Sequence, residues 1–355
     1  ITAIKNFSDL GFEVTAFERC QGVGGNWRFN DPSGHSSVFE TTHIISSKYT
    51  SYYEDYPLPK NAADYPSHKD LLEYFNNYTD HFDIRKLIKF GTEVQHCKQI
   101  ESDKWEITWK ELESDQVRTD IYDALVVCNG HHHEPRYPDY PGKFTGEFIH
   151  SHDFKSAKPF KDKRVLVIGG GNSACDVAVE TARVAKSISI SWRRGYYLIP
   201  KFMYGLPTDL YAIKNRWVPR IFRAPFIRFM LERFQGKNED IGLQKPTQPI
   251  FATHPTVNSE LYYAVRHGKV TPQKDIKEFN NNKVTFIDGH EEEFDVVIAC
   301  TGFRIKHSFF DKDFINYEEG MVPLLHRMIP ADINNIYFIG LFQPLGCIWP
   351  GAELQ

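Results

Sequence analysis

Gly169, Gly171 and Ala174 form a G-x-G-x-x-A pattern within Arg164-Val-Leu-Val-Ile-Gly-Gly-Gly-Asn-Ser-Ala-Cys-Asp176. The chemistry such a pattern offers comes from the main chain. The first glycine permits a tight turn, the second lets backbone approach a pyrophosphate, and the small third residue lets helix and strand pack closely. The N–H groups of Asn172, Ser173 and Ala174 would then meet phosphate oxygens at the positive end of a helix. An ordinary α/β turn has the same composition. The apolar run Val165–Ile168 before the pattern and the helical spacing from Cys175 to Val184 after it favour the dinucleotide.

Two further charged positions fit nucleotide chemistry. Arg193 and Arg194 follow the strand pattern Ser187-Ile-Ser-Ile-Ser-Trp192, where an NAD unit would place an acid. Two guanidinium groups suit the 2′-phosphate of NADP, which arginine meets with paired hydrogen bonds; solvated surface arginines are the plainer alternative. Glu18 ends the alternating stretch Phe12–Phe17, itself preceded by helical spacing (Ile1, Ile4, Phe7, Leu10) and Gly11. Helix, glycine, strand, acid is the second half of a dinucleotide-binding unit, whose glycine turn stands about 20 residues before the acid. A first strand and its G-x-G-x-x-G are therefore expected upstream of Ile1. Gly22-Val-Gly-Gly-Asn-Trp27 beside Glu18 is either a backbone approach to a cofactor or a plain loop.

The elements that would carry these positions are legible along the chain. Ser67-His-Lys-Asp70 has the form of a capping box before an apolar helical face (Leu71, Leu72, Phe75, Tyr78, Phe82), better read as core than as a cofactor box. Residues 94–100, 105–109 and 117–121 alternate with period two and predict an antiparallel meander. Ala124–Cys128 is a buried strand ending at Asn129-Gly130, and Phe294–Cys300 is another ending at Thr301-Gly302. Two such strands are what a nucleotide domain inserted into another needs, and Pro135, Pro138 and Pro141 mark a rigid crossing. His131–His133 read as loop histidines, since adjacent histidines cannot all face one ion.

Residues 212–234 combine five arginines with large apolar side chains. Such a segment suits a membrane surface or an insertion packed over a substrate channel; Pro219 and Pro225 interrupt a single long helix and favour the insertion. His254–Ser259 precedes a helix through Arg266, capped by Gly268. Short strands follow around Val284–Ile287. The last strand, Ile336–Gly340, leads to Pro350, after which a helix begins.

The whole composition bounds the partners. At 355 residues the chain suffices for two domains, with 41% hydrophobic and 25% charged residues and a net charge of -4. That balance gives no reason to expect nucleic acid. Six scattered cysteines contain no C-x-x-C, which argues against a dithiol centre, a zinc site or a disulfide framework. Reduced thiols in a cytoplasmic setting follow, and no apolar run approaches membrane-spanning length. The chain begins without methionine and stops as a helix starts, so it reads as a fragment.

Phe144-Thr-Gly146-Glu-Phe-Ile-His150-Ser-His-Asp-Phe154, just before the glycine turn, resembles the F-x-G-x-x-x-H-x-x-x-(F/Y) motif of the flavin-containing monooxygenases. The resemblance covers essentially the whole chain. Gly24, Gly25 and Trp27, the turn at 169–174, Arg193 with Arg194, Cys300–Phe303 and the stretch from Gly340 to Gln355 also match. The related Baeyer–Villiger enzymes are expected to carry Trp at the last motif position, where this chain has Phe154.

The resemblance implies an α/β fold of two dinucleotide-binding, Rossmann-like domains. An FAD domain (1–155 and 295–355) would hold an inserted NADPH domain (156–294) with an extra segment near 205–250. FAD would fall to Glu18, Gly24, Gly25, Trp27, Gly130, Thr301 and Gly302, and NADPH to Gly169, Gly171, Asn172, Ser173, Ala174, Arg193 and Arg194. In the family, NADPH reduces the flavin, a C4a-hydroperoxide forms with O2, and a small-molecule nitrogen or sulfur nucleophile is oxygenated. Such a reaction asks for a dry pocket more than for acid–base residues.

One position departs from the family. An Asn usually stands three residues before a Lys; Lys48 is present, but the Asn position reads Ile45. In the family that amide helps hold NADP⁺ and the oxygenated flavin. Either His43, Ser46 or Ser47 substitutes, or the chain is an uncoupled NADPH oxidase releasing H2O2. A non-catalytic nucleotide-binding fragment is the remaining alternative, and oligomeric state stays open.

Overall fold

In the computed structural model, which describes every residue except 251–255, 316, 318–320, 343 and 345, the chain forms two compact units. The first comprises 1–38, 51–134 and 303–355; the second comprises 39–50 and 135–302.

The second unit is built on a five-stranded parallel sheet. Its order across the sheet is Thr271–Gln273, Ser187–Ser191, Arg164–Ile168, Val296–Ala299, Glu147–His150. Strand Arg164–Ile168 sits at the centre, and Val165 to Ile168 are buried on both faces, as a covered parallel sheet requires. Alternate side chains serve opposite layers. Val165 and Val167 pack with Ala174, Cys175, Ala178 and Leu261 from helices Asn172–Thr181 and Glu260–Arg266. Leu166 and Ile168 pack with Phe279, Val284, Phe286 and Phe294, which belong to or flank a four-stranded sheet (Glu291–Glu293, Lys283–Phe286, Ile276–Asn281, Gly142–Phe144). Arg164 secures the start of the central strand, its guanidinium 2.7 Å from Asp295 and 2.8 Å from Glu293.

The boundaries of this unit lie outside 156–294. Strands Glu147–His150 and Val296–Ala299 hydrogen-bond into its sheet, so they stand with it and not with the outer segments. Residues 39–50 join it as well: the Phe39 ring meets Phe154 edge-on at 5.3 Å, and the Glu40 N–H donates to the Lys155 carbonyl.

The first unit contains two short parallel pairs, Ala16–Glu18 with Ile88–Phe90 and Leu125–Val127 with Ile336–Phe338. It also contains the antiparallel meander Thr92–Gln99, Trp105–Glu111, Val117–Tyr122. Trp105, Ile107 and Trp109 alternate inward to its core. Helix His68–His81 starts with the reciprocal capping box of Ser67 and Asp70, and buries Leu71, Tyr74, Phe75 and Tyr78. Helix Thr2–Asp9 ends before Gly11, whose φ of +85° makes glycine the natural stop.

Three elements differ from the sequence pattern. The first strand covers only Ala16–Glu18, because its partner offers three residues, and Phe12 is exposed. The last helix, Ile348–Glu353, begins before Pro350, which falls in its first turn where the missing N–H has no intrahelical bond to lose. Pro225 does not break its helix. Thr208–Lys214 and Arg220–Phe234 are separate helices, and Pro225 lies inside the second. That helix packs along one face only: Ile227 and Leu231 are buried, whereas Phe222 is 65% and Phe229 62% exposed. Among the described residues no helix is long and apolar enough to cross a membrane.

Candidate functional site

The glycine turn assigns a separate physical task to each glycine. Gly169 has φ +131°, and a Cβ there would lie 2.4 Å from the Cys300 carbonyl oxygen. It must therefore be glycine for conformation and for the approach of the neighbouring strand end. Gly171 is extended, with φ -81° and ψ -179°, and a Cβ on it would meet nothing within 4 Å. The space beside Gly171 is open, as a phosphate approach needs. Ala174 is fully buried, and its methyl would stand 3.4 Å from a Cβ on Gly169.

Helix Asn172–Thr181 starts at Gly171 without a side-chain cap. Its first N–H groups thus have no partner from a capping side chain, which is the arrangement that binds anions. A strap just before helix Glu260–Arg266 braces the turn. The Thr256 hydroxyl donates to the Gly170 carbonyl at 3.2 Å, the Val257 N–H to Asn172 Oδ1 at 2.8 Å, and Asn258 Nδ2 to Asp176 Oδ1 at 2.7 Å. Asn172 thus gives its side-chain oxygen to the strap. Burial pushes the Asp176 carboxyl up to about 6, against the opposing pull of Lys201 and the Asn258 bond. The strap could be found in sequence only as a loop before a helix; His254, named with it, lies outside the described residues.

Arg193 and Arg194 are both exposed, directly after strand Ser187–Ser191. Arg194 lies over Tyr196, its guanidinium carbon 5.3 Å from the ring centre and its Nε 3.1 Å from the hydroxyl. Ser173 is exposed in the first helical turn.

The Phe144–Phe154 stretch acts as a fastener of the sheet edge. A Cβ on Gly146 would fall 2.6 Å from the Asp295 carbonyl oxygen and 2.7 Å from the Phe144 ring. His150 is fully buried, and its Nδ1 accepts from the His152 N–H at 3.1 Å. The ring proton therefore sits on Nε2, which donates to the Gly302 carbonyl at 3.1 Å. Burial lowers the His150 pKa, in keeping with this neutral tautomer. Phe154 stacks on Phe160 at 5.6 Å. Thr301 is held likewise: its hydroxyl donates to the Arg136 carbonyl, and the Arg136 guanidinium returns to the Thr301 carbonyl at 3.0 Å. The Thr301 hydroxyl is thus engaged within the protein, and Gly302 (φ +83°) keeps open space. Both belong to the second unit, whereas Glu18, Gly24, Gly25, Trp27 and Gly130 belong to the first.

In the first unit, Glu18 Oε1 accepts from the Cys20 N–H at 2.8 Å, which orients the carboxylate at the strand end. Gly24 has φ +117° and would press a Cβ 2.5 Å from Leu72 Cδ1; Gly25, at φ +48°, opens the short helical turn Gly25–Trp27. Trp27 meets Trp349 edge-on at 5.8 Å. Gly130 adopts φ +71° after strand Leu125–Val127 with nothing beside it. Sequence reasoning missed Arg28. Its guanidinium lies 2.6 Å from a Cβ built on Gly22, and its Nε donates to Asp31 at 2.7 Å. Burial works to raise Asp31, but the bonds from Arg28 and Ser33 outweigh it and hold the carboxyl at about 2. An i,i+3 Arg–Asp pair beside a glycine run was the available signal.

Around the missing amide, the candidates separate by burial. Ile45 is half-buried, His43 is exposed with Nδ1 2.9 Å from the Thr41 carbonyl, and Ser46 and Ser47 are buried. The Ser47 hydroxyl has no hydrogen-bond partner among the described residues.

With this geometry in hand, comparison with known proteins decides the family. A sequence profile of the family described as flavin-binding monooxygenase-like matches residues 1–355. The chain belongs to that family. It is 35% identical over 376 residues to flavin-containing monooxygenase 5 of Mus musculus, covering 100% of this chain and 69% of that protein. It is 32% identical over 374 residues to dimethylaniline monooxygenase (N-oxide-forming) 2 of Oryctolagus cuniculus, with the same coverage. The S-allyl-L-cysteine S-oxygenase of Allium sativum has a similar fold, with TM-score 0.73, 23% identity, and 100% of this chain and 72% of that one covered. A flavin-containing monooxygenase from Stenotrophomonas maltophilia gives TM-score 0.74 at 17% identity, covering 99% and 92%. The two-domain α/β Rossmann-like fold therefore stands, and the chain is a flavoprotein oxidoreductase of the monooxygenase class, with FAD and NADPH as its cofactors.

Proposed function

We propose that this flavin monooxygenase takes reducing equivalents from NADPH and inserts one atom of O2 into a soft nitrogen or sulfur centre of a small molecule. In this reading the second unit holds NADPH and the first holds FAD. The observation that carries it is the uncapped helix behind Gly171, with open space at that glycine and Arg193 and Arg194 at the end of the next strand. The names of an N-oxide-forming relative and an S-oxygenase of like fold support the substrate class.

The residues present fit both groups. For FAD, Glu18 is oriented at a strand end and Gly24, Gly25 and Gly130 hold left-handed backbone that keeps side chains out of the way. The flavin supplies the redox and oxygen chemistry when bound. The chain's own contribution is to bind and orient: helix N–H groups take the pyrophosphate, the arginine pair takes the 2′-phosphate, and buried neutral His150 fixes the Thr301-Gly302 corner.

A second reading rests on Ile45. An isoleucine cannot donate the hydrogen bond that the family amide makes, so oxygen reduced at the flavin leaves as H2O2 in a larger share of turnovers. Stopped-flow measurement tests both. Anaerobic NADPH should bleach the flavin, with NADH much slower, and aerobic turnover of a tertiary amine or thioether should return about one product per NADPH. Peroxide in place of product selects the oxidase; no bleaching by NADPH discards both readings.

A further inference from the structure

Asp209, in helix Thr208–Lys214, lies far in sequence from Ile45, yet it touches the segment that carries the missing amide. Its Oδ2 accepts from the Ser47 N–H at 2.6 Å and from the Thr50 hydroxyl at 2.5 Å, and its Oδ1 accepts from the Leu210 N–H at 2.8 Å. Ser47 and Thr50 are the two ends of one turn, closed by the Thr50 N–H to Ser47 carbonyl bond at 3.0 Å. A single carboxylate oxygen therefore pins both ends of the turn that follows Ile45.

The aspartate is itself fixed from behind. Helix Thr208–Lys214 begins with the Thr208 hydroxyl on the Pro200 carbonyl at 2.5 Å and the Thr208 N–H on the Lys201 carbonyl at 3.0 Å. Leu198 and Ile199, just before that turn, pair in parallel with Thr256 and Val257. Those two residues are the strap that bonds the Gly170 carbonyl and Asn172. Hydrogen bonds and short stretches of chain thus link the glycine turn, through the strap, the Leu198–Ile199 strand and the Asp209 helix, to Ser47 and Thr50. All of it lies within the second unit.

We propose that Asp209 is a positioning residue for oxygenation: it holds the Ile45–Thr50 segment in the place the family fills with an amide, and ties that segment to the nucleotide turn. The Ile45 side chain can give no hydrogen bond to a cofactor, and Asp209 ties the turn that follows it. The inference rests on the monooxygenase reading given above.

The test compares Asp209→Ala, Asp209→Asn and Thr50→Val in the flavin-loaded full-length protein. Thr50→Val removes one of the two bonds and leaves helix Thr208–Lys214 untouched, so it keeps the question answerable if Asp209→Ala folds poorly. Hydrogen exchange of the peptide spanning 45–50 should quicken at least tenfold in Asp209→Ala and severalfold in Thr50→Val. The Kd for NADP⁺, measured by flavin fluorescence, should rise severalfold, and so should the fraction of NADPH lost as peroxide. Asp209→Asn, which keeps one acceptor oxygen in place, should recover part of each. Unchanged exchange overturns the brace; faster exchange with unchanged NADP⁺ affinity and peroxide fraction overturns its role in oxygenation. If the wild-type protein binds no NADP⁺, the monooxygenase reading fails instead, while the exchange rates still decide whether Asp209 holds the segment.

Discussion

The two glycine turns, one in each unit, are rigid for different reasons. At Gly169 the obstacle to any side chain is main chain: the Cys300 carbonyl oxygen would stand 2.4 Å from a Cβ. At Gly24 the obstacle is the tip of a leucine, Leu72 Cδ1 at 2.5 Å, and the neighbouring Gly22 faces a guanidinium. A backbone carbonyl at the end of a sheet strand cannot yield without moving the strand, whereas a leucine changes rotamer. The turn in the second unit is therefore built into the sheet, and the turn in the first is shaped by side chains laid against it.

The comparison is broken most directly by putting the same methyl at both. Gly169→Ala forces a φ of +131° on an alanine and drives its Cβ into the Cys300 carbonyl, so a loss of more than about 3 kcal/mol is expected. Gly24→Ala carries a similar backbone strain but meets a side chain that yields, and should cost about 1–2 kcal/mol. Urea denaturation of both variants against the wild type measures the difference; equal losses would show that the carbonyl contact does not set the cost.

Gly171→Ala sharpens the contrast within one turn. The backbone there is extended and a Cβ meets nothing within 4 Å, so stability should stay within about 0.5 kcal/mol of wild type. The methyl would instead occupy the space a pyrophosphate needs, and the Kd for NADP⁺ should rise about tenfold, which is about 1.4 kcal/mol. A titration showing unchanged affinity would place the phosphates elsewhere.

These contrasts mark what the sequence could and could not carry. Local periodicity was enough for the meander, the capping box at Ser67 and the central strand with its glycine turn, because each is encoded within a dozen residues. The allotment of strands Glu147–His150 and Val296–Ala299 to the second unit was not, since it depends on lateral pairing between distant segments. The helix over Arg220–Phe234 was hidden by Pro225, a residue that local rules treat as a breaker but that lies inside this helix. At the site, the roles of Gly169, Gly171 and Ala174 follow from type and spacing alone. The bonds that brace this turn, Thr256 to Gly170 and Asn258 to Asp176, span 86 and 82 positions, and the bond from Ser47 to Asp209 spans 162; none has a local signature. His150 was legible only through the family motif, and its duty toward Gly302 needed coordinates.

A last contrast concerns Asp176, whose carboxyl in the second turn is shifted in the opposite direction to Asp31 beside the first. Burial raises it from 3.8 to about 6, whereas Asp31, beside the first turn, is held at about 2 by Arg28 and Ser33 despite burial. The signs are opposite. Asp176 favours the folded state below pH 4, where it is protonated in both states, and that contribution is lost as pH rises through 6. Asp31 favours the folded state above pH 4 and loses its contribution as pH falls toward 2. A shift of this size at Asp176 corresponds to about 3 kcal/mol at most, and partial exposure reduces it to about 1–2 kcal/mol. Asp176→Asn keeps the oxygen that accepts from Asn258 and cannot ionise. Its stability relative to wild type should therefore grow between pH 4 and pH 7, by about 1–2 kcal/mol, in parallel urea titrations. A flat difference across that range would mean that Asp176 titrates alike in the folded and unfolded chain and that the strap, not the titration, is what the carboxylate serves.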